Sequence, residues 1–397
     1  MRTSLVAAGL LILAAQPPQR DVIRRGVTYV TTDLVARDDR GQFVASLGKA
    51  DFDVFEDGVK QEIVTFVLTH GGRVLNEIAP RATTQEGVLL PPMRPPNDSS
   101  GRIFLIFLDD LHMSFRDTAR VRDLMKRIST ELIHDGDLFG IVSSGYSSIS
   151  IDMTYDRKRL DEAMKKIMGA GLTPSEIIAA PTGAQGPAEL RHQAHVAFST
   201  AYEILQKLEN VHNRRKVFIY ISSGYDFDPF AKSRAKASSE RFGSSRDSGQ
   251  VPETNPFSKT GNEFAAADLA AELSELTRQA NRANTTIYTI DPRGLVAGHD
   301  LDQTTLDPAD WQDHVRETQS SLRVIADRTG GFAVVNTNNV TAALKRIDSA
   351  TSDYYVLGYY SSNPDPLKKR RTIEIRVKQK AKLHLDYKTS YTLKPQR

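Results

Sequence analysis

The sequence predicts an α/β protein: a doubly wound, mostly parallel sheet, with a small β module supplied by the two ends of the chain. Three observations carry this. Between residues 102 and 348, short apolar runs alternate with segments of helical period, the pattern of a parallel sheet covered by helices on both faces. The flanks, residues 21–78 and 349–397, alternate apolar and polar positions instead. Neither flank is long enough for a stable domain alone, and two-stranded pieces are marginal, so the flanks are expected to pack with each other.

Residues 1–20 are expected to be a signal peptide. Arg2 precedes an unbroken run of apolar and small residues from 5 to 15, followed by Gln16-Pro17-Pro18-Gln19-Arg20. Ala15 offers a small-residue cleavage site. The run is shorter than the ~20 residues that cross a bilayer, and no later stretch comes near that length. A disordered or buried terminal segment is the competing reading. In the N-terminal module Val27, Tyr29 and Thr31 alternate, as do Phe52 and Val54, and Asp38-Asp39-Arg40-Gly41 supplies a turn. Glu56-Asp57-Gly58 suits a tight hairpin, since Asp-Gly accepts positive φ. Residues 79–101 hold Pro80, Pro91, Pro92, Pro95 and Pro96 with no sustained period and read as a linker.

The grammar changes at residue 102. Residues 103–108 are continuously apolar, as a strand buried on both faces requires, and 217–221 and 286–290 repeat the pattern. Val121, Leu124, Met125, Ile128 and Leu132 mark one helical face. Leu160, Ala163, Met164 and Ile167 mark a second, Ala197, Ala201, Ile204, Leu205 and Leu208 a third, and Leu269, Leu273, Leu276 and Ala280 a fourth. Residues 139–142 and 149–151 flank Ser144-Gly145 as a hairpin, and Gly330-Gly331 stops a helix before a strand at 332–335. Residues 354–360, Ile373-Ile375-Val377 and Leu383-Leu385-Tyr387 are the C-terminal strands.

Composition narrows the function. With 52 basic against 49 acidic residues the net charge is only +3, too little to recommend dedicated nucleic-acid binding. There is no cysteine, which excludes disulfides, a lipid-anchoring cysteine, a thiolate zinc site and a cysteine nucleophile.

Four phrases, in order, carry a resemblance: "DFDVFEDGVKQEIVTF", "IFLIFLDDLHMS", "TTIYTIDPRGL" and "YYVLGYY". With them the chain resembles the von Willebrand factor type A (vWA) fold, a Rossmann-like sheet, and more closely the exported bacterial family labelled VWFA-related. That resemblance implies a divalent cation, magnesium or manganese, held at the carboxyl ends of the parallel strands by a D-x-S-x-S segment, a threonine and an aspartate. Such a hard ion takes oxygen ligands and leaves a position for a carboxylate of a partner. Only the register starting at Asp110 is sensible here, because starting at Asp109 puts Leu111 and Met113 at ligand positions. The candidate metal residues are then Asp110, His112 in place of the first serine, Ser114, Thr173 in "GAGLTPSEI", Ser223 where the aspartate is expected, and Asp226, with Asp228, as a displaced substitute. The implied site is degenerate and any binding weak; a coordinating His112 would shift preference towards manganese or zinc.

Each candidate has an ordinary reading. Asp110 can be a turn former, Asp109 a partner for a backbone N–H, His112 a surface histidine, Ser114 and Thr173 helix caps, and Ser223-Gly224 a tight turn. Three inserts follow the same edge of the sheet, where binding loops sit: residues 174–188, 228–262 and 295–313, the last with the single tryptophan, Trp311. The serine-rich part, 238–249, reads as flexible decoration. The basic runs Arg214-Arg215-Lys216 and Lys368-Lys369-Arg370-Arg371 read as solvated strand starts.

The function expected is an exported, periplasmic or extracellular binding module of adhesion type, acting on another protein with no nucleic acid, no transmembrane segment and no catalysis. A metal-independent scaffold of the cell envelope is the alternative. A hydrolase assembled from Asp110, His112 and His134 or Asp135 is the remote one, since no nucleophile elbow, H-E-x-x-H or phosphate loop is present.

Overall fold

The computed structural model describes residues 29–78, 102–180, 187–209, 211, 215–242, 256–296, 306–362, 368, 370–378 and 383–392. The expected signal peptide lies outside them, as does the whole proline-rich linker, residues 79–101. No helix among the described residues is long and apolar enough to cross a membrane.

The first strands are β1 (Tyr29–Arg37), β2 (Phe52–Glu56), β3 (Val59–Gln61), β4 (Ile63–His70) and β5 (Arg73–Ile78). Asp57 and Gly58, with φ of 49° and 84°, make the two-residue turn between β2 and β3. Both central residues are left-handed, as a turn matched to strand twist demands. The next strands are β6 (Arg102–Leu108), β7 (Leu138–Ser143), β8 (Ser150–Thr154), β9 (Arg215–Ile221), β10 (Thr285–Ile290) and β11 (Ala333–Val334). They form one six-stranded sheet in the order β11-β10-β9-β6-β7-β8, parallel throughout except for β8. The protein is therefore mixed α/β, with a mostly parallel sheet beside antiparallel ones.

Eight α-helices accompany the sheet among the described residues: α1 (Thr118–Arg127), α2 (Lys158–Lys166), α3 (Pro174–Ala179), α4 (Ala188–Leu208), α5 (Ala231–Phe242), α6 (Pro256–Arg282), α7 (Pro308–Asp327) and α8 (Val340–Ser352). The apolar strands explain the layering. In β6, Phe104, Ile106 and Leu108 face one core with α1, α2 and α8, while Ile103, Leu105 and Phe107 face another with α4, α6 and α7. Both faces of a central parallel strand must be covered, so its sequence has no polar alternation.

The chain ends with β12 (Tyr354–Tyr360), β13 (Arg370–Val377), β14 (His384–Tyr387) and β15 (Ser390–Thr392). β12 pairs antiparallel with β1 on one side and β4 on the other, and β13 pairs with β2. Two sheets, β14-β1-β12-β4-β5 and β15-β13-β2-β3, close over a core that includes Leu34, Phe52, Phe66, Tyr355 and Ile375.

This sandwich docks on the amino edge of the parallel sheet. At the start of β9, Arg215 pairs with Asp33 at 3.0 Å and its backbone N–H donates to the Tyr354 hydroxyl. Asn284 donates to the other Asp33 oxygen, and Gly72 N–H to the Ser352 carbonyl. At the start of β6, buried Arg102 bonds Asp137, Asp348 and Ser352.

The basic runs depart from expectation in part: Lys368 and Arg370 are exposed as expected, but three other residues are not. Arg215, Lys216 and Arg371 are buried, Arg371 against Glu56 at 2.6 Å. Of the three, Arg215 joins the parallel sheet to the sandwich, while Arg371 is paired inside the sandwich and Lys216 against carbonyls at the end of α4; buried charges need such partners. The serine-rich insert departs too, since the chain up to Phe242 belongs to α5; residues 243–249 lie outside the described set.

Lys216 donates to the Leu208 and Val211 carbonyls, and burial pushes its ammonium down to about 8, against the opposing pull of Asp33 and Glu209. Between that value and the ordinary lysine 10.5, the unfolded chain holds a proton that the native state lacks. Stability should therefore rise with pH across this window. Urea unfolding at pH 8 and pH 10 should show a smaller rise for Lys216→Met than for the natural protein, and equal rises would mean the ammonium is not desolvated.

Candidate functional site

The strand order sets the location. After β6 the chain builds β7 and β8 on one side, then returns to place β9 on the other. The crevice outside the carboxyl ends of β6 and β9 is where an open α/β sheet of this kind places its ligands.

Asp109 closes β6 and is the hub of this edge. Its backbone N–H extends the ladder to the Ile221 carbonyl, which drives its fully buried carboxylate into the seam between β6 and β9. There it accepts from Tyr225 OH at 2.6 Å, Ser222 Oγ at 2.8 Å, Ser144 Oγ at 2.9 Å and His112 Nδ1 at 3.0 Å. Burial works to raise its pKa, but the adjacent His112 charge and the bonds from His112, Tyr225 and Ser222 outweigh it and hold the carboxyl below the usual range. Burial and the Asp109 charge push the Tyr225 hydroxyl well above its ordinary value.

Asp110 turns the other way. Its carboxylate accepts from Ser147 N–H at 2.6 Å and lies 3.1 Å from Ser144 Oγ, while its carbonyl accepts from Ala170 N–H. It therefore ties the β7–β8 loop to the segment after α2. His112 is no surface residue: its side chain is 8% exposed and its ring meets Tyr225 edge-on at 4.6 Å. Ser114 caps a short 3-10 turn, Phe115–Asp117, and Thr173 caps α3 in a capping box with Glu176. Asp226 Oδ2 is 2.9 Å from His314 Nδ1. Asp228 instead pairs with Arg234.

A cavity of about 460 Å³ opens at this edge, and His112, Ser114, Thr173, Ser223 and Asp226 all line it, whereas Asp110 does not. α3, the start of α4, Phe230 just before α5, and α7 supply the remaining wall. Ile177, Leu190, Phe230 and Leu306 form an apolar cluster there with Trp311 packed against it. Phe230 adopts φ 58°, left-handed geometry that a bulky residue rarely tolerates. It is held by Arg234, whose backbone and guanidinium bond the Phe230 and Pro229 carbonyls. Two polar atoms in this lining, Ser223 Oγ and Trp311 Nε1, are buried with no hydrogen-bond partner.

A hard divalent ion takes six to eight oxygens. Of the expected ligands only Asp226 brings a carboxylate to the cavity, and it is bonded to His314; Ser114 and Thr173 are engaged as caps. Among the described residues no three His, Cys, Asp or Glu side chains converge as a metal-binding group.

Reasoning from residues alone missed the Asp109 hub, where side-chain donors rather than a backbone N–H take the carboxylate. It also missed Tyr225, which sits just past the recognised Ser222-Ser223-Gly224 turn. His314 could not have been found, since nothing in its helix signals a partner 88 positions away. His134 and Asp135 precede β7 at the amino edge, where His134 bonds Asp348, so they cannot join His112. No family model matches the chain, and no curated protein does either.

Two substitutions test this geometry. Asp109→Ala strips four donors of their acceptor and should cost about 3–5 kcal/mol, read by chemical denaturation; a cost near zero would show that the hub is not formed. Gly224 has φ 86°, and a Cβ there would lie 2.1 Å from the Thr318 carbonyl of α7. Gly224→Ala should destabilise by at least about 1–3 kcal/mol, since strain and clash add, and an unchanged melting temperature would contradict the close approach.

Proposed function

We propose that the chain is an exported binding protein of vWA type that recognises another protein through the carboxyl edge of its parallel sheet. Export rests on the pattern of residues 1–20, and the vWA reading on the four phrases above together with a six-stranded sheet whose order reverses at β6.

One observation carries the recognition reading. Four large apolar side chains stand exposed on the loops of this one edge: Phe115 (69%), Tyr146 (68%), Met168 (40%) and Leu295 (55%). Exposed apolar clusters with a polar surround mark interaction sites, and aromatic residues supply most of the energy in such contacts. The loops are braced for it. Ser147 bonds Met168 through both backbone groups, Gly169 N–H reaches Thr118, and Arg120 donates to the Arg293 carbonyl. A binding surface that is already ordered loses less entropy on association.

Catalysis has no comparable support. At the cavity neither His112 nor His314 engages Ser223, whose hydroxyl is without a partner, so Ser223 is not activated as a nucleophile there.

The test is capture of partners from the protein's own envelope fraction by the mature chain, with and without chelator, beside the double variant Phe115→Ser/Tyr146→Ser. The variant should keep its melting temperature and lose capture by roughly tenfold or more. Capture that survives the double variant favours the scaffold alternative. Capture lost only with chelator would restore a metal-dependent mode.

A further inference from the structure

The aromatic and aliphatic wall of the cavity has a chemistry of its own. Leu172, Ile177, Leu190 and Leu306 line it with Phe230 and Trp311, whose rings lie 6.4 Å apart and nearly parallel, 11° between planes. That surface suits an apolar body, and about 460 Å³ falls in the range of small-ligand sites. The unpartnered polar atoms define the other end of the ligand. An indole N–H can only donate, and a serine hydroxyl both donates and accepts, so both are completed by an acceptor oxygen. Charge selects among acceptors. Arg116, Arg120 and Arg293 line the cavity against Asp117 and Asp226; Arg293 is paired with Asp291 and Asp226 with His314, and the lining carries one more cationic than anionic side chain. An anionic head is favoured there and an ammonium is not.

From this we infer that the cavity is a metal-independent pocket for a carboxylate carried on an apolar body, with Trp311 Nε1 and Ser223 Oγ as head-group donors and the Leu172–Phe230–Trp311 wall as the seat for the body. The carboxylate has two sources, a free aliphatic acid or the apolar carboxyl terminus of a partner chain. The inference shares its face with the recognition reading and names what its central pocket accepts.

Trp311 is the only tryptophan, so its fluorescence reads the site without a label. Octanoate, added to the mature protein in the presence of chelator, should change that emission saturably with a Kd of about 1 mM or tighter. Octanol and octylamine should bind at least about tenfold more weakly, because a hydrogen bond to a charged group contributes that much. By calorimetry, Trp311→Phe, which keeps the aromatic wall but removes the N–H, and Ser223→Ala should each weaken octanoate about tenfold. An octapeptide ending in leucine, with a free or an amidated carboxyl end, separates the sources: tighter binding than octanoate by the free form alone assigns the site to a partner's terminus, and octanoate binding alone assigns it to a free acid. Equal binding of octanol, loss of octanoate binding on chelation, indifference to both substitutions, or no binding by either carboxylate would overturn the inference. If octanoate fails while capture still depends on Phe115 and Tyr146, the pocket assignment falls and the recognition face stands.

Discussion

Strand β12 is hydrogen-bonded along both edges, and most of the architecture follows from that. Its partners β1 and β4 come from the other end of the chain, so the sandwich cannot close until residues separated by almost the whole sequence have met. The α/β part is then a loop between β5 and β12 whose two ends are fixed at one place. Its parallel sheet presents its amino edge to the sandwich, and α8 leads straight back into β12. Contacts with the sandwich and its connections accordingly concentrate on residues that begin strands: Arg102 of β6, Arg215 of β9 and Thr285 of β10.

The opposite edge inherits the freedom that the amino edge has lost. Nothing from the sandwich needs to cover it, so the loops after β6, β7, β9 and β10 are available for binding, and their order is secured from within. Asp109 does this work at the centre: one carboxylate draws in the loop after β6 through His112, the loop after β7 through Ser144, and the turn after β9 through Ser222 and Tyr225. A carboxylate so placed is stable only as a satisfied anion, since an isolated buried charge is far too costly. Its stabilising contribution is present above the ordinary carboxyl pKa and is lost as pH falls through its lower native value. The site is thereby strengthened at neutral pH and exposed to acid.

How much of this was legible depended on the range of the interactions involved. The parallel strands and their helices announced themselves because burial on two faces or on one stripe is written in local period, as in residues 103–108 and in Val121, Leu124 and Met125. The Asp57-Gly58 turn was readable because positive φ is a property of the residues themselves. Burial of Arg215, Lys216 and Arg371 was not, since a basic run looks the same whether it meets water or an Asp33 or Glu56 from a distant strand. The same limit applied at the site. Asp110 and Asp109 are neighbours with identical side chains, and only the ladder bond from Asp109 N–H to Ile221 decides which of them faces the seam. The wall of the cavity was invisible for a similar reason, since Ile177, Phe230 and Trp311 belong to three inserts that read separately as loops.

Those inserts also bear on how this edge meets a ligand. A shell for a hard ion needs several oxygens free to turn inward, whereas here Ser114 and Thr173 are committed to capping and Asp226 to His314, which leaves the Ser223 hydroxyl. What the cavity wall offers instead is apolar area, an aromatic pair and two polar atoms without partners. Burying polar atoms unpaired is costly unless a ligand completes them, and holding Phe230 in a left-handed conformation is a second cost borne at the same place. Both costs fall in one cavity wall. They are accounted for if the wall is shaped for a molecule that supplies the missing acceptor and covers the rings.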